Sequence, residues 1–149
     1  MASFVFNSFK GKLFNGSISL SADESYSVSL ITSANAFSVS SSIVADITSA
    51  WGDLSATWDI TSDETYNSVG YSPKVLSGCR VIVDNTTEKS KWYADNITWS
   101  SSTIDADGCV IYRTSDGAMI CALDFGSRKS SSNGNFTLQW NANGILNLS

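Results

Sequence analysis

The side chains able to do chemistry in this sequence are carboxylates and thiols, because histidine is absent. Its absence removes the usual general base, the Ser and Cys dyads that depend on it, and the commonest zinc ligand. What remains is carboxylate catalysis, which needs two Asp or Glu residues held roughly 5–10 Å apart across a cleft. Asp23-Glu24, Asp63-Glu64 and Asp105-Asp107 are such pairs, and all fall in stretches that read as turns. An Asp in a turn bonds its own backbone, and neighbouring carboxylates in a polar loop stay solvated. The pairs therefore read as structural, and the chain as a non-enzyme. Asp105-Ala106-Asp107-Gly108 spaces its oxygens like part of a calcium loop, but the distal Glu is missing and the segment reads as a tight turn. Gly126 to Gly134 match no phosphate-cradling pattern and read as a solvated loop. No metal and no cofactor is expected.

Three cysteines, Cys79, Cys109 and Cys121, cannot form a fully paired framework, and their spacing matches no zinc or CxxC pattern. A hairpin centred near Ser115 would set Cys109 opposite Cys121, within about 4.5–5.5 Å at Cβ. A cross-strand disulfide is geometrically conceivable, but two buried thiols packing together fit better a chain made in a reducing compartment. Five tryptophans are the remaining candidates for contact chemistry, since aromatic rings stack on sugars and anchor protein interfaces. Trp99 and Trp140 sit in apolar alternation and Trp92 in a strand, as core residues do. Trp51 and Trp58 lie in an irregular stretch and are the candidate interface residues, fit for a sugar or a neighbouring subunit.

The elements that would position these residues are mostly strands. Phe6, Phe9, Leu13 and Phe14 approach helical spacing, with Asn7 able to cap a short helix and Gly16 able to end it, though a strand fits nearly as well. Tyr26, Val28 and Leu30 alternate with Ser, the period of a half-buried strand. Residues 33–63 form an irregular excursion, of the kind that reaches a neighbour. Beyond Pro73, Val75, Leu76, Cys79, Val81 and Val83 carry the apolar side of one strand, Asp84-Asn85-Thr86-Thr87 turns, and Lys91 to Ala94 returns. Ile97 and Trp99 alternate before a turn at Ser100-Ser101-Ser102. Cys109–Arg113 and Ala118–Leu123 flank Asp116-Gly117, a strong hairpin signal, and both arms are apolar enough to be buried on two faces. Asn135 to Trp140 and Ile145 to Leu148 flank a last turn at Asn141-Ala142-Asn143-Gly144. The pattern predicts an all-β protein, an antiparallel β-sandwich or jelly-roll-like barrel with one short N-terminal helix or helical turn. Residues 1–149 are expected to form a single domain.

Composition narrows the partners. Charged residues are 15% of the chain, against roughly 25% in an average globular protein, so Ser, Thr and Asn fill the polar positions. Such a surface has few long side chains to immobilise on contact, which favours assembly. A net charge of −5 with scattered cations argues against nucleic acid, whose binding rests on clustered Lys and Arg. No run approaches the ~20 apolar residues needed to cross a bilayer, so no membrane partner is expected. The N-terminal Met1-Ala2-Ser3-Phe4-Val5-Phe6-Asn7 lacks the features of a secretory signal, which implies synthesis in a cytosol. Sequons at Asn15, Asn85, Asn96 and Asn135 then read as chance.

Several stretches together resemble a family of small virion proteins of tailed bacteriophages. They are Asp95-Asn96-Ile97-Thr98-Trp99, Cys109-Val110-Ile111-Tyr112, Ala122-Leu123-Asp124-Phe125-Gly126, and Ser131 to Trp140 with Asn141-Ala142-Asn143-Gly144-Ile145. The segments Gly16-Ser17-Ile18-Ser19-Leu20 and Leu30-Ile31-Thr32 resemble it too. The resemblance implies a capsid decoration or cement protein on the exterior of the virion, synthesised in the bacterial host cytoplasm. Its implied partners are the major capsid protein and other copies of itself, as a trimer or dimer. Some members carry tail labels, so a tail-associated or receptor- or carbohydrate-binding virion protein is the alternative. The shared motifs are strand and turn signatures, so the resemblance transfers no site residue.

Overall fold

The computed structural model describes residues 3–31 and 69–149. The excursion at 33–63, with Trp51, Trp58 and the Asp63-Glu64 pair, lies outside the described residues. Within them the chain is built of antiparallel strands and one short helix, in a sandwich-like arrangement of two sheets. Its elements are β1 (Phe4–Val5), α1 (Asn7–Phe14), β2 (Tyr26–Ile31), β3 (Lys74–Val75), β4 (Arg80–Asp84), β5 (Lys89–Tyr93), β6 (Ile97–Arg113), β7 (Met119–Leu138) and β8 (Leu146–Leu148). One sheet has the order β1-β7-β6-β2-β3 and the other β4-β5-β8. Among the described residues the two sheets do not join, so of the two predicted architectures the sandwich forms and the barrel does not.

The helical alternative for Asn7–Phe14 is the one realised. Phe6 rather than Asn7 occupies the N-cap position, with no side-chain cap, and its N–H donates to the Ile120 carbonyl of β7 at 3.1 Å. Gly16 ends the helix as predicted. At φ 73° it lets its own N–H reach the Leu13 carbonyl and the Ser17 N–H reach that of Lys12, satisfying two carbonyls at the helix end.

The predicted hairpin at Asp116-Gly117 is the centre of the molecule, and its arms run far longer than apolar content alone suggests. β6 and β7 stay paired from Tyr112↔Met119 to Ile97↔Leu138, through four register shifts. Near the turn both arms are buried on two faces, as expected. Farther out, three segments that read as turns or loops belong to strands. Ser100-Ser101-Ser102 is a bulge rather than a turn. Ser101 takes φ 50°, and the buried parity passes from Ile97 and Trp99 to Ser102, Ile104 and Ala106. An extra residue in one strand switches the facing of all that follow, and the bulge returns apolar residues to the core. Asp105-Ala106-Asp107-Gly108 is strand interior, not a tight turn. Gly126–Gly134 is the exposed stretch of β7, held by β6 although it offers no apolar pattern of its own.

The last predicted hairpin is also replaced. β7 ends on β6, whereas β8 crosses to the other sheet and pairs with β5 through Trp92↔Leu146 and Ser90↔Leu148. Gly144 makes this crossing possible. Its φ is 86°, and a Cβ there would lie 2.6 Å from the Trp92 carbonyl oxygen, which instead accepts from the Ile145 N–H at 2.8 Å. Between the sheets, the Tyr26 ring meets Trp92 edge-on at 5.1 Å, and one apolar cluster runs from Phe6 and Phe9 through β2, β6 and β7 to Trp92 and Ile145.

Candidate interaction surface

Glu24, Asp105 and Asp107 are each engaged by a cation or a hydroxyl. Glu24 accepts from Arg113 at 3.2 Å and from the Tyr26 hydroxyl at 2.9 Å. The same guanidinium reaches Asp116 at 2.7 Å, holding that carboxyl down at about 2. Arg113 thus pins the β6–β7 turn and the segment before β2, and its own charge is reinforced by both acids. Burial and the Glu24 carboxylate push the Tyr26 hydroxyl well above its ordinary value. Asp107 receives two bonds from Arg128, at 3.2 and 2.8 Å, and Asp105 accepts from Ser130. A guanidinium across Asp107 opposes a bound cation, and among the described residues no group of three or more His, Cys, Asp or Glu is placed to hold one.

Cys109 and Cys121 are fully buried free thiols. They are not directly opposite. The turn sets the Arg113 N–H on the Ala118 carbonyl, and the shift between Ile111 and Tyr112 adds one residue, so Cys109 faces Leu123 and Cys121 faces Ile111. Burial, then the neighbouring Cys121, pushes Cys109 well up, and burial pushes Cys121 up to about 12. Such thiols are poor nucleophiles. Trp92 and Trp99 are core residues as expected. Trp140 packs at the core's edge, its indole N–H donating to the Asp95 carbonyl at 2.9 Å.

What the geometry does present is an apolar overhang on the smaller sheet. Opposed residues in an antiparallel pair share a face. Val81 opposes Trp92, Trp92 opposes Leu146, Val83 opposes Ser90, and Ser90 opposes Leu148. All therefore lie on the side that Trp92 turns toward Tyr26. Trp92 is covered, yet Val81, Val83 and Leu148 are 51%, 65% and 63% exposed. Among the described residues this end of the smaller sheet's inner face is left uncovered. On its outer face Ile82 is also exposed. The one strand predicted from Val75 to Val83 is split, Lys74–Val75 joining β2 in the larger sheet and Arg80–Asp84 forming β4 in the smaller. Val81 and Val83 do share one side, but that side lies at the molecular surface.

Among the described residues β4 is moreover an edge strand. The strands that end the sheet orders elsewhere, β1, β3 and β8, are two or three residues long. β7 beyond Ala122 has no strand on its outer side among the described residues, but its exposed stretch, Gly126–Gly134, is polar, while β4 has five residues without a proline or a bulge. Short edges protect themselves and longer ones present a row of backbone donors and acceptors. At the far end of β4, Asp84 accepts from the Thr86 and Thr87 N–H groups at 3.0 and 3.1 Å and lies 3.5 Å from Lys91; the Thr87 hydroxyl first, then these N–H groups and Lys91, hold its carboxyl at about 2. At the near end Arg80 donates to the Gly78 carbonyl and lies 3.5 Å from Asp95 and over the Tyr93 ring. β4 is thus an exposed, apolar strand with a charge of each sign at its ends. No protein-family model, curated protein or solved structure matches the chain.

Proposed function

We propose that this protein is a non-enzymatic virion component of a tailed bacteriophage, a decoration or cement protein that binds the outside of the capsid shell and stabilises it. The observation that carries the reading is the open inner face at Val81, Val83 and Leu148, beside the free edge of β4. The hydroxyl-rich, weakly charged surface and the resemblance of the strand motifs support it. Covering three side chains already half to two-thirds exposed is worth about 1 kcal/mol each, or roughly 3 kcal/mol per copy. That is modest for one molecule and large when repeated over a shell. A protein that binds only the assembled shell shifts the equilibrium away from disassembly by mass action. The partners in this reading are the major capsid protein and further copies of this chain.

The test is to purify particles, count copies of the protein in them, and strip and restore it. Stripped particles should fail at lower temperature, wild-type protein should restore them, and a V83D/L148D variant should not. Absence from purified particles, or restoration by the doubly charged variant, contradicts the proposal. A copy number matching a tail ring instead of the shell would move the protein to the tail.

A further inference from the structure

We infer that β4 is a self-complementary edge, and that two copies of this chain join by antiparallel pairing of β4 with β4 about a two-fold axis at Ile82. The segment reads Arg80-Val81-Ile82-Val83-Asp84. Paired with itself in reverse and centred on Ile82, it sets Arg80 against the second copy's Asp84 twice, Val81 against Val83 twice, and Ile82 against itself. Opposite charges then meet at both ends, and β-branched side chains meet in the middle, the pairs that favour a sheet. Parallel pairing in register would instead face Arg80 with Arg80 and Asp84 with Asp84. Sliding by two residues would lose both ion pairs. The sequence of one strand thus selects orientation and register together.

Among the described residues the strand ends its sheet, its first four residues are exposed, and neither a proline nor a bulge interrupts it; its two charges stand at its ends, where this pairing sets them against opposite charges. Asp84 is held by its turn and lies 3.5 Å from Lys91, and Arg80 uses Nη1 toward Gly78 and Asp95 and lies over the Tyr93 ring, which leaves its Nε and Nη2 donors for the second copy's Asp84. An interface of this kind is isologous and closes at two copies. It would convert two three-stranded sheets into one of six strands and place both sets of Val81, Val83 and Leu148 on one continuous face. The pairing rests on the fastening role only for the use of that doubled face.

Two experiments on the whole chain test it. Sedimentation should show twice the monomer mass for the wild type. R80D and D84R should each weaken the dimer about tenfold or more, because each makes two like-charge contacts. Mixing the two variants should restore a dimer. The introduced aspartate of one then meets the introduced arginine of the other, and the native Arg80 and Asp84 that remain meet each other. Because D84R also removes the turn's cap, I82C in a C79S background supplies an independent reading. Under an added oxidant, which takes up two electrons and two protons, the two introduced thiols should form an intermolecular disulfide, while V81C should link efficiently only to V83C. A wild type that stays monomeric up to its solubility limit, a dimer indifferent to both charge reversals, or I82C that does not cross-link overturns the inference. A monomer that still binds particles would refute the pairing and leave the fastening role standing, and a dimer that never enters particles would do the reverse.

Discussion

Ser102 should be worth more to this protein than any other serine in its Ser-rich stretch. Its side chain is fully buried, and its hydroxyl lies 3.1 Å from the Trp99 carbonyl, 3.1 Å from the Gly134 carbonyl and 3.1 Å from the Ser131 hydroxyl. These groups belong to the two strands on either side of the bulge, whose carbonyls lose regular ladder partners. A hydroxyl has one proton to donate, so S102A removes one hydrogen bond to a buried carbonyl and leaves that acceptor without a partner. The expected cost is about 1–3 kcal/mol. For a chain of this length that lowers Tm by roughly 2–4 °C per kcal/mol. Urea unfolding of S102A should show it, with exposed Ser100 as control: S100A should change stability by less than about 0.5 kcal/mol. A double-mutant cycle with S131A should give a coupling of about 0.5 kcal/mol or more, because the two hydroxyls share one network. Equal stability of S102A and S100A would refute the idea that this hydroxyl holds the bulge.

G144A should cost about 2–4 kcal/mol, by strain at positive φ and by collision with the Trp92 carbonyl, and its effect should localise to β8 by hydrogen exchange. The Asp116 carboxyl, depressed in the folded protein, contributes stability that is present above its unfolded value near pH 4 and is lost as the pH falls toward 2. Because the side chain is 41% exposed, the amount is under about 1 kcal/mol, and D116N should flatten that part of the pH profile in acid titration. A thiol reagent should leave Cys109 and Cys121 unmodified in the native protein and react only with Cys79, slowly, since burial and then Asp95 raise that thiol too. Rapid native labelling of two or three thiols would contradict the described core.

Much of the fold was legible where one physical signal dominated. The Asp116-Gly117 turn between apolar arms and the turn after Asp84 form as their residues predict. Tyr26–Ile31 is a strand as its alternation predicts, but it is buried on both faces rather than half-buried, with β3 and β6 flanking it and Ser27 and Ser29 bonding the Thr114 and Tyr112 hydroxyls. The losses share one cause. At Ser100–Ser102 and along Gly126–Gly134 the side chains are hydroxyls, amides and charges, although Ile104 and Ala106 of β6 stay buried, and pairing there is decided by the partner strand rather than by local pattern. Ser100–Ser102 and Gly126–Gly134 therefore imitated loops. Positive φ at Ser101 gave no warning, because serine rarely adopts it, and Asn133, which tolerates it, imitated a loop. The crossing of β8 to the other sheet depends on Gly144 fitting under Trp92, a long-range contact that the apparent hairpin spacing concealed. The overhang was half legible: the apolar side of β4 was visible, but its exposure depends on how far the larger sheet extends beneath it. Trp51 and Trp58, chosen for their irregular surroundings, lie outside the described residues.

Fastening through the smaller sheet is tested by hydrogen exchange of β4 and β8 in the free protein and in the protein bound to purified particles. Amides of Arg80–Asp84 and Leu146–Leu148 are expected to become protected on binding, while the buried β6–β7 arms near the Asp116-Gly117 turn stay as slow as before. Protein that binds particles with β4 and β8 exchanging at their free rates, or that never binds them, would contradict it.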